Sequence, residues 1–165
     1  MLTSRTAPSI ELRPATDADQ PFLQRLYAST RGTDLRLYGC DHITEAFLVG
    51  VQFKAQQSCY RKRYPDAELT VIVERERERP IGRLVVNYSE EEVRLVDISL
   101  LPEFRGKGLG RGLLRGLQGH GRHLKLPVRV SVVLGNPAQR LCQQCDFVLR
   151  ETDGAYAHLE WLPSA

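Results

Sequence analysis

Phe104 to Gly112 reads FRGKGLGRG, with glycine at 106, 108, 110 and 112 and a cation at 105, 107 and 111. Each glycine costs a helix interior about 1 kcal/mol relative to alanine, so this run does not serve to build a regular element. Before it stands EVRLVDISLL (92–101), apolar and β-branched; after it Leu109, Leu113, Leu114 and Leu117 recur at helical spacing. A strand, a glycine turn and a helix start together make an anion site. Unbonded N–H groups converge at the helix end, and the helix dipole favours negative charge there. Glycine lets the backbone approach the anion with no Cβ in the way, while Arg105 and Lys107 neutralise it.

Two familiar phosphate motifs fail on spacing. A dinucleotide fingerprint needs G-x-G-x-x-G early in a βαβ unit, and this run is G-x-G-x-G after three consecutive strands. A Walker loop needs G-x-x-x-x-G-K followed by serine or threonine, which the chain lacks.

Arg105, Gly106, Lys107, Gly108, Leu109 and Gly110 resemble the acyl-CoA motif Q/R-x-x-G-x-G/A of the GCN5-related N-acetyltransferase superfamily. Asn136, Pro137, Ala138, Leu141 and Phe147 resemble a second element of that superfamily, N-P-A-x-x-L-Y-x-x-x-G-F. The order agrees from Ile10 to Trp161. Two positions depart: Cys142 stands where tyrosine is usual, and Asp146 where glycine is usual. The resemblance implies a domain of mixed α/β class with a central, mostly antiparallel sheet flanked by helices. It also implies acetyl transfer from acetyl-CoA to a primary amine of a small molecule or peptide, by direct attack. Backbone groups of Ile98, Ser99 and Leu100 would hold the pantetheine arm, and the run 105–110 with Asn136 would bind the rest of the cofactor. Dimers are frequent in the superfamily, so a homodimer is an expectation of the same kind.

Direct attack needs a neutral amine, a donor to the carbonyl oxygen as it becomes an oxyanion, and an acid for the sulfur. The Leu100 N–H is the expected oxyanion donor. Asp97, in the strand beside the thioester, is the expected base, since partial burial suits a carboxylate to that task. Glu92 is the alternative, and an ion pair of Asp97 with Arg83 or Arg94 is the competing structural role. Cys142 takes the place of the usual acid, with Tyr156 or water as substitutes and a buried packing role as the alternative.

These residues must be positioned by the elements around them. Ile10 to Pro14 reads as a strand, and Thr16 with Asp19 as a capping box opening a first helix on Phe22, Leu23, Leu26 and Tyr27. The polar RGTDLRLYGCD separates it from a second helical run, Thr44 to Tyr60, with Phe47 and Val51 one turn apart. LTVIVE and IGRLVVNY flank the charged run 75–80 as a hairpin, and EVRLVDISLL is a central strand. After the glycine-started helix come a strand PVRVSVVL, a short helix NPAQRLCQQC, and the strands FVLRE and AYAHLEWL. The order is β-α-α-β-β-β-α-β-α-β-β.

The 165 residues suit one domain, 1–165, that folds without disulfides or metal. Cys142 and Cys145 form an isolated C-x-x-C with no second pair at matching spacing, so no metal is expected. No apolar run approaches the ~18 residues of a membrane span, and MLTSRTAPSIELRP has no signal-peptide core, so a cytoplasmic protein without a membrane partner is expected. From Phe104 to Arg150 nine lysines and arginines face one acid, Asp146, which suits a polyanionic ligand. Nucleic-acid surfaces usually interleave exposed aromatics for stacking, and this segment has only Phe104 and Phe147, so no nucleic acid is expected. Three readings stand open in this order: an acyl-CoA-dependent N-acyltransferase, a non-catalytic acyl-CoA sensor of the same fold, and a basic nucleic-acid module.

Overall fold

A computed structural model describes residues 8–36 and 41–164. Its elements are β1 (Ile10–Pro14), α1 (Gln20–Arg36), α2 (His42–Arg63), β2 (Glu68–Glu74), β3 (Arg79–Tyr88), β4 (Val93–Leu100), α3 (Leu109–Leu124), β5 (Val128–Val133), α4 (Ala138–Gln144), β6 (Val148–Thr152) and β7 (Tyr156–Trp161). This is the order read from the sequence. The strands form one seven-stranded sheet, β1-β2-β3-β4-β5-β7-β6, antiparallel throughout except between β4 and β5. That parallel pair follows from the α3 crossover, because a parallel connection has to travel back along the sheet before the next strand starts.

The period of two along each strand divides the apolar side chains between two cores. On one face Phe22, Leu23, Leu26, Val49 and Phe53 of the first two helices enclose Val71. On the other, Leu113, Leu114 and Leu117 of α3 close over Ile72, Leu84, Val86 and Val130. Val71 and Ile72 are adjacent in β2 and both wholly buried, one in each core. Burying a side chain of this size stabilises by about 1.5–3 kcal/mol, so a central strand covered on both sides ties the layers together. The start of the first helix is fixed by Asp19, whose carboxylate accepts the Thr16 N–H at 2.8 Å and pairs with Arg13 at 2.7 Å.

Two expectations about the helices need correction. The RGTDLR part of the expected linker is helical, and α1 runs on to Arg36; of the rest, 37–40 lie outside the described residues and Asp41 caps α2. In α2 the apolar pair read one turn apart does not form the buried face: Phe47 is 70% exposed and Val51 50%, while Val49 and Phe53 are buried. This helix carries apolar residues at i, i+4 spacing on two opposed faces. Spacing alone could not choose between them, and contact with α1 and the sheet did. The helix starts where Asp41 accepts the N–H groups of Ile43 and Thr44 at 3.0 and 2.8 Å.

Candidate active site

The sheet opens at its centre. β4 and β5 pair only at Val93–Val128, Arg94–Arg129 and Leu95–Val130. Past that point the register of β3 with β4 shifts between Val85 and Val86, so a bulge falls at Val96 and bends β4 away. β5 continues beside β7 as far as Val133–Tyr156, so the ends of the two parallel strands diverge. Residues 96–100 are each half-buried in the middle of a sheet, where a covered strand would be sealed. Leu101 donates its N–H to the Ile81 carbonyl at 2.8 Å. Strand alternation therefore turns the backbone of Leu100 and Ile98 away from β3, into the gap. Gly82 lets β3 hold this bent strand closely, since a Cβ there would meet the Ser99 carbonyl and, at 2.7 Å, a methyl of Leu100.

The glycine turn stands at the mouth of the gap. Gly106 and Gly108 have φ of 69° and 83°, the left-handed region that favours glycine. The first hydrogen bond of α3 runs from Gly112 to the Gly108 carbonyl at 3.0 Å, which leaves the N–H groups of Leu109, Gly110 and Arg111 with no carbonyl of the helix to bond. Gly110 has another purpose. A Cβ there would stand 3.0 Å from Leu141, so this glycine sets the approach of α3 to α4. Phe104 is buried beneath the turn, with Lys107 5.0 Å and Arg79 4.8 Å from its ring centre. Arg105 bends back and donates Nε to the Leu100 carbonyl at 2.8 Å, joining the turn to the strand end.

On the face of the gap that looks toward α2, charge is ordered in rows. Asp97 pairs with buried Arg83 at 2.6 Å, and Ser99 donates to the same carboxylate oxygen at 3.2 Å. Arg83 also donates to Gln56 at 2.6 Å. Gln56 and Tyr60 continue the α2 face that buries Val49 and Phe53, so one helix face supplies both the core and this site. Burial first, and then the charge of Asp97, pushes the Tyr60 phenol well above its usual range, keeping it a donor. One row below, Arg94, Glu92, Arg129, Glu160 and Arg150 alternate in sign across β4, β5, β7 and β6, with contacts of 2.7–2.9 Å. Burial alone would push Glu92 up, but its bonds from Arg94 and Arg129 outweigh that and hold it below the usual range. Above that row, Ser131, His158 and Asp153 form a hydrogen-bonded line.

The sequence reading missed Tyr60, Ser131, His158 and Asp153. Ser131 and His158 stand at the ordinary polar positions of the alternating strands VRVSVV and YAHLEW, in phase with Arg129 and Glu160, so the local pattern does not single them out. Only the register Ser131–His158 makes them one site. Among the expected residues, the geometry brings Asp97, Ile98, Ser99 and Leu100 to the gap and the 105–110 turn to its mouth. Asn136 caps α4, its side-chain oxygen accepting the Ala138 N–H at 2.8 Å. Cys142 does not reach the gap as an accessible acid: it is 3% exposed and packed in the main core. Burial, with some effect from Cys145, pushes its thiol up to about 11. Asp146 ends α4 in the left-handed conformation, φ 66°, with Asp146 and Phe147 donating back to Gln143 and Cys142 at 3.1 Å. That is the helix stop at which glycine is usual.

The sequence pattern of the acetyltransferase (GNAT) family matches residues 38–147. The chain belongs to this family of acetyltransferase enzymes. A sequence search among curated proteins finds no match. Solved structures of the same fold include a PaiA N-acetyltransferase from Thermoplasma acidophilum in complex with coenzyme A, 17% identical, covering 93% of this chain and 99% of that one with a TM-score of 0.67. An acetyltransferase from Thermus thermophilus is 18% identical over 95% of this chain and 99% of its own, TM-score 0.68. A spermidine N-acetyltransferase from Vibrio cholerae, in complex with CoA and spermine, is 20% identical over 93% of this chain and 95% of its own, TM-score 0.62. Among the described residues no helix is long and apolar enough to cross a membrane, and no group of His, Cys, Asp and Glu could hold a metal ion.

Proposed function

We propose that the protein transfers the acetyl group of acetyl-CoA to a primary amine of a small molecule or peptide by direct attack within the β4–β5 gap. The observation that carries this reading is the end of parallel pairing at Leu95–Val130, with the glycine turn and open helix end at the mouth of the gap. An extended pantetheine arm can add to the free edge of β4 through Ile98 and Leu100 as a strand would. Its phosphates then meet the N–H groups at the start of α3, beside Arg105 and Lys107. The Leu100 N–H points to where the thioester oxygen gains charge.

The acceptor enters from the α2 side. Asp97 uses one carboxylate oxygen for Arg83 and Ser99 and keeps the other for an incoming ammonium or amine N–H, so it holds the acceptor. A carboxylate already paired with a buried guanidinium is poorly placed to remove the proton as well. Asn136, as a cap, keeps the start of α4 ordered beside the arm.

The test is acetyl transfer from labelled acetyl-CoA to a panel of amines, polyamines, amino acids and peptide N-termini, alongside thermal unfolding with CoA, NAD or ATP. CoA at a hundredfold excess over its dissociation constant should stabilise by about 2.7 kcal/mol. Stabilisation by NAD or ATP in place of CoA, or CoA binding with no acetylated amine, overturns the reading.

A further inference from the structure

Ser131 is the first β5 residue beyond the last β4–β5 pair, on the face that carries Arg94 and Arg129. Its Oγ lies 2.8 Å from Nδ1 of His158, and Nε2 of His158 lies 2.9 Å from Asp153 Oδ2. The other oxygen of Asp153 accepts the N–H groups of Ala155 and Tyr156 at 3.1 and 2.8 Å, which fixes the carboxylate within the β6–β7 hairpin. These partners assign the tautomer. A carboxylate only accepts, so Nε2 carries the hydrogen, and Nδ1 of the neutral ring accepts the Ser131 O–H. Arg94 donates to Ser131 Oγ at 3.3 Å and occupies one lone pair. The second lone pair is open to a substrate N–H.

We propose that Ser131 and His158, with Asp153 positioning the imidazole, take up the proton that the acceptor amine loses. This rests on the acetyl-transfer reading above and names its base. An ammonium acceptor gives up two protons in becoming an amide. The N–C bond forms as the C–S bond breaks, and one proton ends on the CoA thiolate to give the thiol. The other passes to Ser131 Oγ while the Ser131 hydroxyl proton moves to His158 Nδ1. The imidazolium, flanked by Asp153 and 27% exposed, then returns that proton to water.

The competing carboxylates are already engaged: Asp97 by Arg83, Glu92 by Arg94 and Arg129, and Glu160 by Arg129 and Arg150. His158 is reached from the gap through a hydroxyl rather than a guanidinium. The charged and titratable groups facing it are Asp153, Glu151 opposite on β6, Tyr156 and Glu160 on its own strand, Arg129 on β5, and Arg94 through Ser131.

The experiment compares wild type with Ser131→Ala, His158→Gln and Asp153→Asn, using the fastest acceptor from the amine panel and, in parallel, hydroxylamine, which is a neutral base at pH 7. Ser131→Ala and His158→Gln should lower kcat by ~10²-fold or more, in the range typical of general-base losses, with KM for acetyl-CoA and CoA-dependent thermal stabilisation kept. Asp153→Asn should lose less, hydroxylamine should suffer less than the ammonium substrate, and the acid limb of the kcat–pH profile should vanish in His158→Gln. Turnover within about threefold of wild type in either main variant overturns the relay. So does an acetyl group found on Ser131 by peptide mass, which would make the hydroxyl a nucleophile. If wild type itself acetylates no amine, the acetyl-transfer reading has failed, an outcome separate from active variants.

Discussion

Arg83 stands 2.6 Å from Asp97 with only 4% of its side chain exposed, while Asp97 retains 18% at the edge of the gap. The pair therefore faces two ways: its cation is sealed under α2, and its anion borders the β4–β5 gap, on the side where we propose that the acceptor enters. Removing the anion or the cation alone leaves a buried charge without a partner, typically at a cost of ~3–5 kcal/mol. Arg83→Ala and Asp97→Ala should each lower stability on that scale in denaturant unfolding. The joint replacement Arg83→Met with Asp97→Leu should recover much of the loss, yet remain poor in turnover because the acceptor's holding group is gone. Additive losses in the double variant would contradict the pairing.

The glycines of the turn separate by cause. Gly108 has φ 83° and open space where a side chain would stand, so Gly108→Ala should cost ~1–2 kcal/mol from the left-handed backbone alone. Gly108→Asp places a carboxylate at the anion's position, and CoA affinity should fall more than ~10-fold, read by titration calorimetry on the folded variant. Gly110→Asp is a test of packing instead, because its side chain meets Leu141 at 3.0 Å. Unchanged CoA affinity in folded Gly108→Asp would place the phosphates elsewhere.

Cys142 is expected to matter for packing and not for protonation of the thiolate. Cys142→Ala should lose ~1 kcal/mol of stability and keep wild-type turnover. With the thiol pushed up to about 11, no cysteine limb should appear in the kcat–pH profile near neutrality. A large drop in kcat with unchanged CoA binding would restore the cysteine as the acid.

Asp146 occupies a left-handed helix stop, φ 66°, and its carboxylate reaches Arg115 at 2.8 Å. The pair is largely exposed, so it contributes little against the backbone strain. Asp146→Gly should therefore raise stability by up to ~1 kcal/mol, and Asp146→Ala should lower it, since alanine gains no relief at positive φ. Equal melting temperatures for the two variants would show that the strain is unimportant.

The sequence by itself determined the element order, the glycine turn at the start of α3 and the strand that carries Asp97, Ile98, Ser99 and Leu100. These features are local: a period of two or 3.6, a proline, or a glycine forced by a left-handed backbone is written in neighbouring residues. The same logic marked the hairpin turn within the charged run 75–80 and the start of α3. Tertiary structure decided which side of α2 faces the sheet, because Phe47–Val51 and Val49–Phe53 are equivalent stripes until α1 and β2 are in place. It also decided that Cys142 is sealed in the core, that Asp97 is paired with Arg83, and that Ser131, His158 and Asp153 form one line. Strand register, the β4 bulge and the end of β4–β5 pairing bring Arg83 to Asp97 across 14 residues and Ser131 to His158 across 27. No local pattern records which residue will stand opposite which, because cross-strand register is settled by the packing of the whole sheet.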